Sequence, residues 1–192
     1  MKWLIIGIAG PTCSGKTTIS NKLKKSITDS ILINQDQYFL LQDDPRHTLI
    51  PELNHFNWDI LSSLDMAKMY SDIVQIITPN TSSSQQNKEK KINVLIIEGF
   101  LIYNYKPIAE LIDKKYFIDI TKEVCWSRRK NRIYDPPDVP GYFDKCIWPE
   151  YLKHKAEIVA DKNIYNSIKF FDGTKNLNEL CDEIINEIKS FS

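Results

Sequence analysis

The segment Gly10-Pro11-Thr12-Cys13-Ser14-Gly15-Lys16-Thr17 restricts this chain more than any other stretch. It fits G-x-x-x-x-G-K-[ST], a loop whose successive backbone N–H groups converge on phosphate oxygens. Gly10 and Gly15 allow backbone angles that a side chain would forbid. Lys16 brings an ammonium to the β- and γ-phosphates, the Thr17 hydroxyl is a magnesium ligand, and the helix that follows adds the positive end of its dipole. Flanking sequence supports the pattern. Trp3-Leu4-Ile5-Ile6-Gly7-Ile8-Ala9 suits a strand buried on both faces. Ile19 and Leu23 lie one helical turn apart, with Ser20, Lys22, Lys24 and Lys25 left for solvent. A glycine turn with a solvated lysine is the bland alternative, and the order strand, loop, helix argues against it.

Further strands follow. Ser30 to Asn34 is a second short apolar run and leads into Gln35-Asp36-Gln37-Tyr38-Phe39. Loops beyond the carboxyl ends of strands carry the ligands in open α/β sheets, which makes Asp36 a candidate for chemistry. Residues 40–57 show little periodicity, and His47 and His55 within them read as loop histidines because no third ligand has metal spacing. From a cap at Asp59, apolar residues at Ile60, Leu61, Leu64, Ala67, Tyr70, Ile73, Val74 and Ile77 predict one long helix stopped by Pro79. Residues 79–91 read as a surface excursion. Asn93 to Ile97 is a third buried run closed by Glu98, an acid well placed to hold magnesium or its water.

Pro107 opens a short helix, Tyr116 to Ile120 is a fourth strand, and Thr121 caps a helix carrying Arg128, Arg129 and Arg132. Arg128 and Arg132, four apart, fall on one face with Arg129 beside them, a clamp for a polyphosphate or else a solvated basic face. Pro136-Pro137-Asp138-Val139-Pro140-Gly141 is a stiff turn, Tyr142, Phe143, Trp148, Tyr151 and Leu152 supply apolar surface, and a helix starts at Pro149. Ile168 to Phe171 is a fifth strand ending in Asp172-Gly173-Thr174, and Asn176 with Glu179 caps a last helix. Alternating strands and helices predict an α/β fold: a mainly parallel five-stranded sheet with helices on both faces.

At 192 residues the chain suits a single domain, 1–192. Its 25 basic and 25 acidic residues cancel, so no global field attracts nucleic acid or an anionic membrane. Cys13, Cys125, Cys146 and Cys181 show no C-x-x-C spacing, which points to neither a zinc site nor a disulfide framework. The first apolar run is too short for a signal peptide and no later run would span a bilayer, so a cytoplasmic address is expected, with the nucleus left open. A guanine switch would need N-K-x-D, which does not occur, and Asp138-Val139-Pro140-Gly141 matches D-x-x-G only inside a proline turn.

Together these segments resemble the nicotinamide riboside kinases, small members of the uridine-kinase-like branch of P-loop kinases. The resemblance runs nearly end to end. It is carried by Ile6 to Thr18, Gln35-Asp36, Ile96 to Tyr105, Arg128 to Tyr134, Pro136-Pro137-Asp138, Gly141-Tyr142-Phe143, Trp148-Pro149 and Asp172-Gly173-Thr174-Lys175. It implies the P-loop NTPase fold with a short helical lid over about 122–148. It also implies transfer of the γ-phosphoryl of ATP, with Mg²⁺, to the 5′-hydroxyl of nicotinamide riboside and of nicotinic acid riboside, toward NAD; uridine or cytidine is the alternative acceptor. The implied partners are ATP and a small nucleoside, in a monomer or weak homo-oligomer.

Site residues follow from the same resemblance. Asp36, Lys16 and Glu98 are catalytic, and Thr17 and Asp36 belong to the metal shell. ATP falls to Gly10 through Thr18 (Thr18 closing the loop), to Arg128, Arg132, Ile133 and Tyr134, and to Asp172, Gly173 and Thr174 at the adenine edge. The acceptor falls to Asp36, Gln37, Tyr38, Phe39, Trp58, Asp59 and Arg129. Gln37 stands where the family has a second acid, and Trp58 where it has tyrosine.

Overall fold

Strand positions of alternating parity feed two different cores. In the computed structural model, which describes residues 2–78 and 92–189, β1 (Trp3–Ala9) sends Ile5 and Ala9 to one face and Ile6 and Ile8 to the other. This is the two-residue period of a strand covered on both sides. α1 (Lys16–Ser26) packs Ile19 and Leu23 on the second face, and Ser20, expected in solvent, is buried with them.

β2 (Ile31–Asn34) runs into a 3₁₀ turn over Gln35–Tyr38. The stretch read as aperiodic holds a small antiparallel ribbon, β3 (Leu49–Ile50) with β4 (His55–Phe56). The long helix expected from Asp59 is shorter: α2 (Met66–Ile77) starts six residues later, with the Asp65 side chain accepting from the Lys68 N–H. The reason is pairing. Leu40 N–H donates to Ser63 C=O at 3.0 Å and Asp65 N–H to Tyr38 C=O at 2.8 Å, so residues 60–65 are pinned along the 38–40 segment and make only a 3₁₀ turn over Leu61–Ser63 before α2 can start. Asp59 caps nothing. The surface excursion expected over 79–91 lies outside the described residues.

β5 (Asn93–Glu98), α3 (Lys106–Ala109, with Pro107 in its first turn), β6 (Lys114–Asp119) and α4 (Lys122–Arg129) follow as expected, and the Thr121 side chain caps α4. Arg132 lies beyond the end of α4, so it does not share a helical face with Arg128. A π-helical turn over Phe143–Ile147 runs straight into α5 (Trp148–Ala160), placing Pro149 inside the first turn of a longer rod instead of at its start. Leu152 on that rod is mostly exposed. α6 (Lys162–Asn166), β7 (Ile168–Asp172) and α7 (Leu177–Lys189) complete the described elements.

The main sheet has the order β2-β5-β1-β6-β7, all parallel. α2, α3 and α5 cover one face through Met69, Ile73, Ile108 and Ile158; α1 and α7 cover the other through Ile19, Leu23, Leu180 and Ile184. A third cluster, including Ile120, Cys125, Tyr142, Phe143 and Cys146, sits off the carboxyl end of the sheet and braces the segment between α4 and α5. Among the described residues no helix is long and apolar enough to cross a membrane.

Candidate active site

At the carboxyl edge, β1 delivers the glycine loop. Gly10 has φ 144° and Gly15 φ 102°, and a Cβ on Gly10 would lie 2.2 Å from the Ile118 carbonyl oxygen. The loop therefore needs glycine there, both for its angles and for its closeness to β6. α1 starts at Gly15 with no side-chain cap, which leaves its first N–H groups directed outward for an anion. Lys16 Nζ donates to the Pro11 carbonyl at 2.8 Å, folded over the loop. Burial lowers its pKa, opposed by the nearby Glu98 and Asp36 carboxylates.

Two acids from neighbouring strand ends meet this lysine. Glu98, 2% exposed, accepts from the Thr17 hydroxyl at 3.0 and 3.2 Å. Burial raises its pKa, while Lys16 and the Thr17 bond work in the opposite sense. Asp36 is the second residue of the 3₁₀ turn, with its N–H held by Asn34 Oδ1 at 2.8 Å. The turn is anchored by Gln35, wholly buried, whose side-chain oxygen accepts from Leu101 N–H at 3.0 Å. Hydroxyl and carboxylate oxygens of this kind suit Mg²⁺, so Thr17, Asp36 and Glu98 fit such an ion. Among the described residues no cluster of three or more His, Cys, Asp or Glu has a metal-binding arrangement.

A cavity of about 490 Å³ opens from the loop past Asp36 to Trp58, Asp59 and Tyr142, a volume within the ordinary range for a small-molecule site. The Trp58 ring is fixed by His47, 4.3 Å away between centroids, and by Phe39 at 5.9 Å, edge to face. Asp59 accepts from the Tyr142 hydroxyl at 3.1 Å. Burial pushes its pKa up to about 6, against the pull of the Arg129 guanidinium and the Tyr142 bond.

Arg129, 7% exposed, holds both oxygens of Asp138 at 2.8 Å, donates to Thr12 Oγ1 at 2.8 Å, and lies 3.8 Å over the Tyr134 ring. It thus ties the α4–α5 segment to the phosphate loop. Arg128 turns the other way, donating to the carbonyls of Cys13 and Gly173 at 3.1 Å each and joining the loop to the end of β7. Arg132 lines the cavity. The three arginines therefore do not share one face: Arg128 and Arg129 stitch segments to the loop, and Arg129 and Arg132 line the cavity.

Other expected residues fall outside the cavity. Tyr38 points at α2, its hydroxyl donating to Asp72 at 3.0 Å, and Ile133 is 98% exposed. Gln37 does not line the cavity, and neither do Asp172, Gly173 and Thr174, which sit beside the loop where Gly173 approaches the Ser14 carbonyl. Conversely, sequence reading missed Tyr142, His55, Phe100 and Asp138 as cavity walls. His55, its pKa lowered by burial, meets the Tyr142 ring edge to face at 4.8 Å.

Comparison with known proteins adds the following. Residues 53–135 match the model of the Phosphoribulokinase / Uridine kinase family. The chain is 38% identical to nicotinamide riboside kinase 1 of Homo sapiens over 98% of its length and 93% of that protein's. It is 36% identical to nicotinamide riboside kinase 2 of Homo sapiens, covering 97% and 81%. Uridine kinase of Leuconostoc citreum is more distant at 29%, over 99% and 97%. Among solved structures, a deoxyadenosine kinase from M. mycoides with bound dATP superposes with a TM-score of 0.53 at 13% identity, over 97% of this chain and 100% of that one. A possible uridine kinase from Bacillus stearothermophilus gives 0.54 at 14%, over 90% of each. Both likenesses concern the fold, that of P-loop kinases.

Proposed function

This chain belongs to the nicotinamide riboside kinases, and on that basis we propose that it transfers the γ-phosphoryl of ATP to the 5′-hydroxyl of nicotinamide riboside. The observation that carries the reading is one cavity lined at once by the glycine loop, by Asp36, and by Trp58 and Asp59. Phosphoryl transfer needs in-line positioning and cancellation of spreading negative charge rather than covalent help. The N–H groups of the loop and of the first turn of α1 hold the phosphates, and Lys16 swings from the Pro11 carbonyl onto them. Arg132 adds positive charge from the cavity wall. When bound by Thr17 and Asp36, with Glu98 beside them, Mg²⁺ neutralises charge on the phosphate oxygens.

Asp36 accepts the proton of the attacking hydroxyl. Asp59 accepts hydrogen bonds from the two ring hydroxyls of the ribose, with Arg129 on the same side. The cationic nicotinamide ring stacks on Trp58, an attraction of about 0.5–2 kcal/mol. Nicotinic acid riboside, which differs in one ring substituent, is read as a second acceptor. The segment 122–148 acts as a lid on a single-domain enzyme, a monomer or weak homo-oligomer. With balanced net charge the protein needs no nucleic-acid partner, and its expected compartment is the cytoplasm.

The test is a side-by-side measurement of kcat/KM with nicotinamide riboside, nicotinic acid riboside, uridine and cytidine. The expected result is a preference for the two pyridine ribosides. Turnover of uridine or cytidine ahead of both would move the chain's acceptor to that of its more distant relatives.

A further inference from the structure

The tripeptide Asn57-Trp58-Asp59 belongs to no helix and no sheet ladder, yet its polar groups are met almost entirely by side chains. The Ser63 hydroxyl donates to the Asn57 carbonyl and Asn57 N–H to the Thr48 carbonyl; most of the other partners come from one stripe. Tyr142, Cys146, Glu150 and His154 recur every four residues along the rod formed by the π-helical turn and α5. The Tyr142 hydroxyl accepts from Trp58 N–H at 2.9 Å and donates to Asp59 Oδ2 at 3.1 Å. Cys146 Sγ–H donates to Asn57 Oδ1 at 3.2 Å, and Asn57 Nδ2–H donates to Glu150 Oε1 at 2.9 Å. His154 Nε2 lies 2.8 Å from the Asp59 carbonyl oxygen, which fixes Nε2 as the protonated nitrogen. Asn57 passes the restraint along, its Oδ1 also accepting from Asp59 N–H at 3.0 Å.

Shape explains how one rod reaches three consecutive residues. Four residues overshoot an α-helical turn by about 40°, so a plain helix would fan these side chains across about 120°. A π turn is wider, and here it lies under the first step, which offsets part of that drift. Packing alone would be served by apolar residues at these positions. Four hydrogen-bonding side chains in a row, three of them buried, are instead what fixing a half-buried carboxylate requires.

We infer that Tyr142, Cys146, Glu150 and His154 form a positioning stripe that sets the height and rotation of Asp59, and with it the affinity for the riboside. The stripe does not touch the phosphates, and it acts on the acceptor through Asp59 and Trp58. This rests on the reading of Asp59 as the group that grips the ribose. Tyr142 is the principal member, because its hydroxyl bonds the carboxylate and the neighbouring backbone at once. His154 is the second, holding the same residue from its carbonyl side.

The experiment compares steady-state kinetics of the full chain with Tyr142→Phe, His154→Leu, His154→Gln and Asp59→Asn, with ATP and nicotinamide riboside each varied. Tyr142→Phe keeps the ring and removes one hydroxyl. It is expected to raise the riboside KM about ten- to a hundredfold while the ATP KM stays within about twofold. His154→Leu is expected to raise the riboside KM, and His154→Gln, which retains an N–H for the Asp59 carbonyl, to restore most of it. A riboside KM unmoved by Tyr142→Phe, or riboside and ATP KM rising together, overturns the inference. So does a Gln variant as impaired as the Leu variant, and this pair decides the matter should Tyr142→Phe fail to fold. Asp59→Asn separates the levels: a raised riboside KM there with an unmoved one in Tyr142→Phe removes the stripe alone. Unmoved values in both remove Asp59 from the ribose as well.

Discussion

On one side of the cavity the loop 10–18 presents mostly backbone. On the other, Trp58, Asp59, Arg129 and Tyr142 present side chains drawn from separated stretches of the chain. The first side is local: nine consecutive residues, shaped by two left-handed glycines and the uncapped start of α1. The second is assembled by tertiary structure and holds a carboxylate whose pKa burial pushes up to about 6. Backbone donors are nearly independent of which side chains surround them, whereas a buried carboxylate depends on every group that meets it. The contrast predicts that side-chain changes are costly on the acceptor side and cheap in the loop at positions other than the glycines, Lys16 and Thr17.

Asp36, between the two sides, should show the largest effect. Asp36→Ala is expected to lower kcat by about 10²–10⁴ with ATP binding retained, measured by single-turnover rates and nucleotide titration. Near-normal turnover would take Asp36 out of the chemistry.

Next comes Asp59→Asn, which should divide stability from function. The raised pKa means that the ionised form is disfavoured in the fold. The stability linked to this group is fully present below the ordinary value of 3.8 and is lost as pH rises through about 6. An uncharged amide removes that loss, so thermal melting at pH 7.5 should rise by about 2–6 °C, while the riboside KM rises about ten- to a hundredfold. In the wild-type enzyme the riboside KM should likewise increase as pH falls through about 6, because the protonated acid accepts hydrogen bonds poorly. A lowered melting point in Asp59→Asn would show that the carboxylate stabilises the fold and would erase the contrast.

The smallest effect is expected in the loop itself. Ser14 is wholly buried and its hydroxyl has no hydrogen-bond partner within the protein. Ser14→Ala should therefore leave stability unchanged or slightly raised and shift the ATP KM by no more than about twofold, read from melting curves and kinetics. A large loss of ATP affinity would mean that the loop works through side chains after all.

The same division explains what could be read from the sequence. β1, the glycine loop, α1 and Glu98 were legible because each is a contiguous run with a period or a fixed spacing. So were the five parallel strands, marked by apolar runs at 3–9, 30–34, 93–97, 116–120 and 168–171, each within two residues of the observed strand. Reading failed where partners far along the chain decide. Residues 60–65 carry an α-helical pattern, but pairing with 38–40 leaves them only a 3₁₀ turn over Leu61–Ser63 and a bridge from Leu64 to Phe39. Arg128 and Arg132 have helical spacing, but α4 ends at Arg129. Tyr38 and Ile133 were assigned to the site through the family resemblance, yet one points at α2 and the other into solvent. The Tyr142-Cys146-Glu150-His154 stripe went unread, Tyr142 being taken as apolar surface, because the tripeptide it serves lies about eighty-five to ninety-five residues earlier and no local signal links the two.

The most direct measurement is a crystal structure with a non-hydrolysable ATP analogue and nicotinamide riboside bound together. The account predicts the triphosphate in the loop 10–17, the ribose ring hydroxyls on Asp59, and the 5′-hydroxyl within about 3 Å of the Asp36 carboxylate. A primary alcohol remote from Asp36, or a triphosphate bound away from the glycine loop, would contradict it.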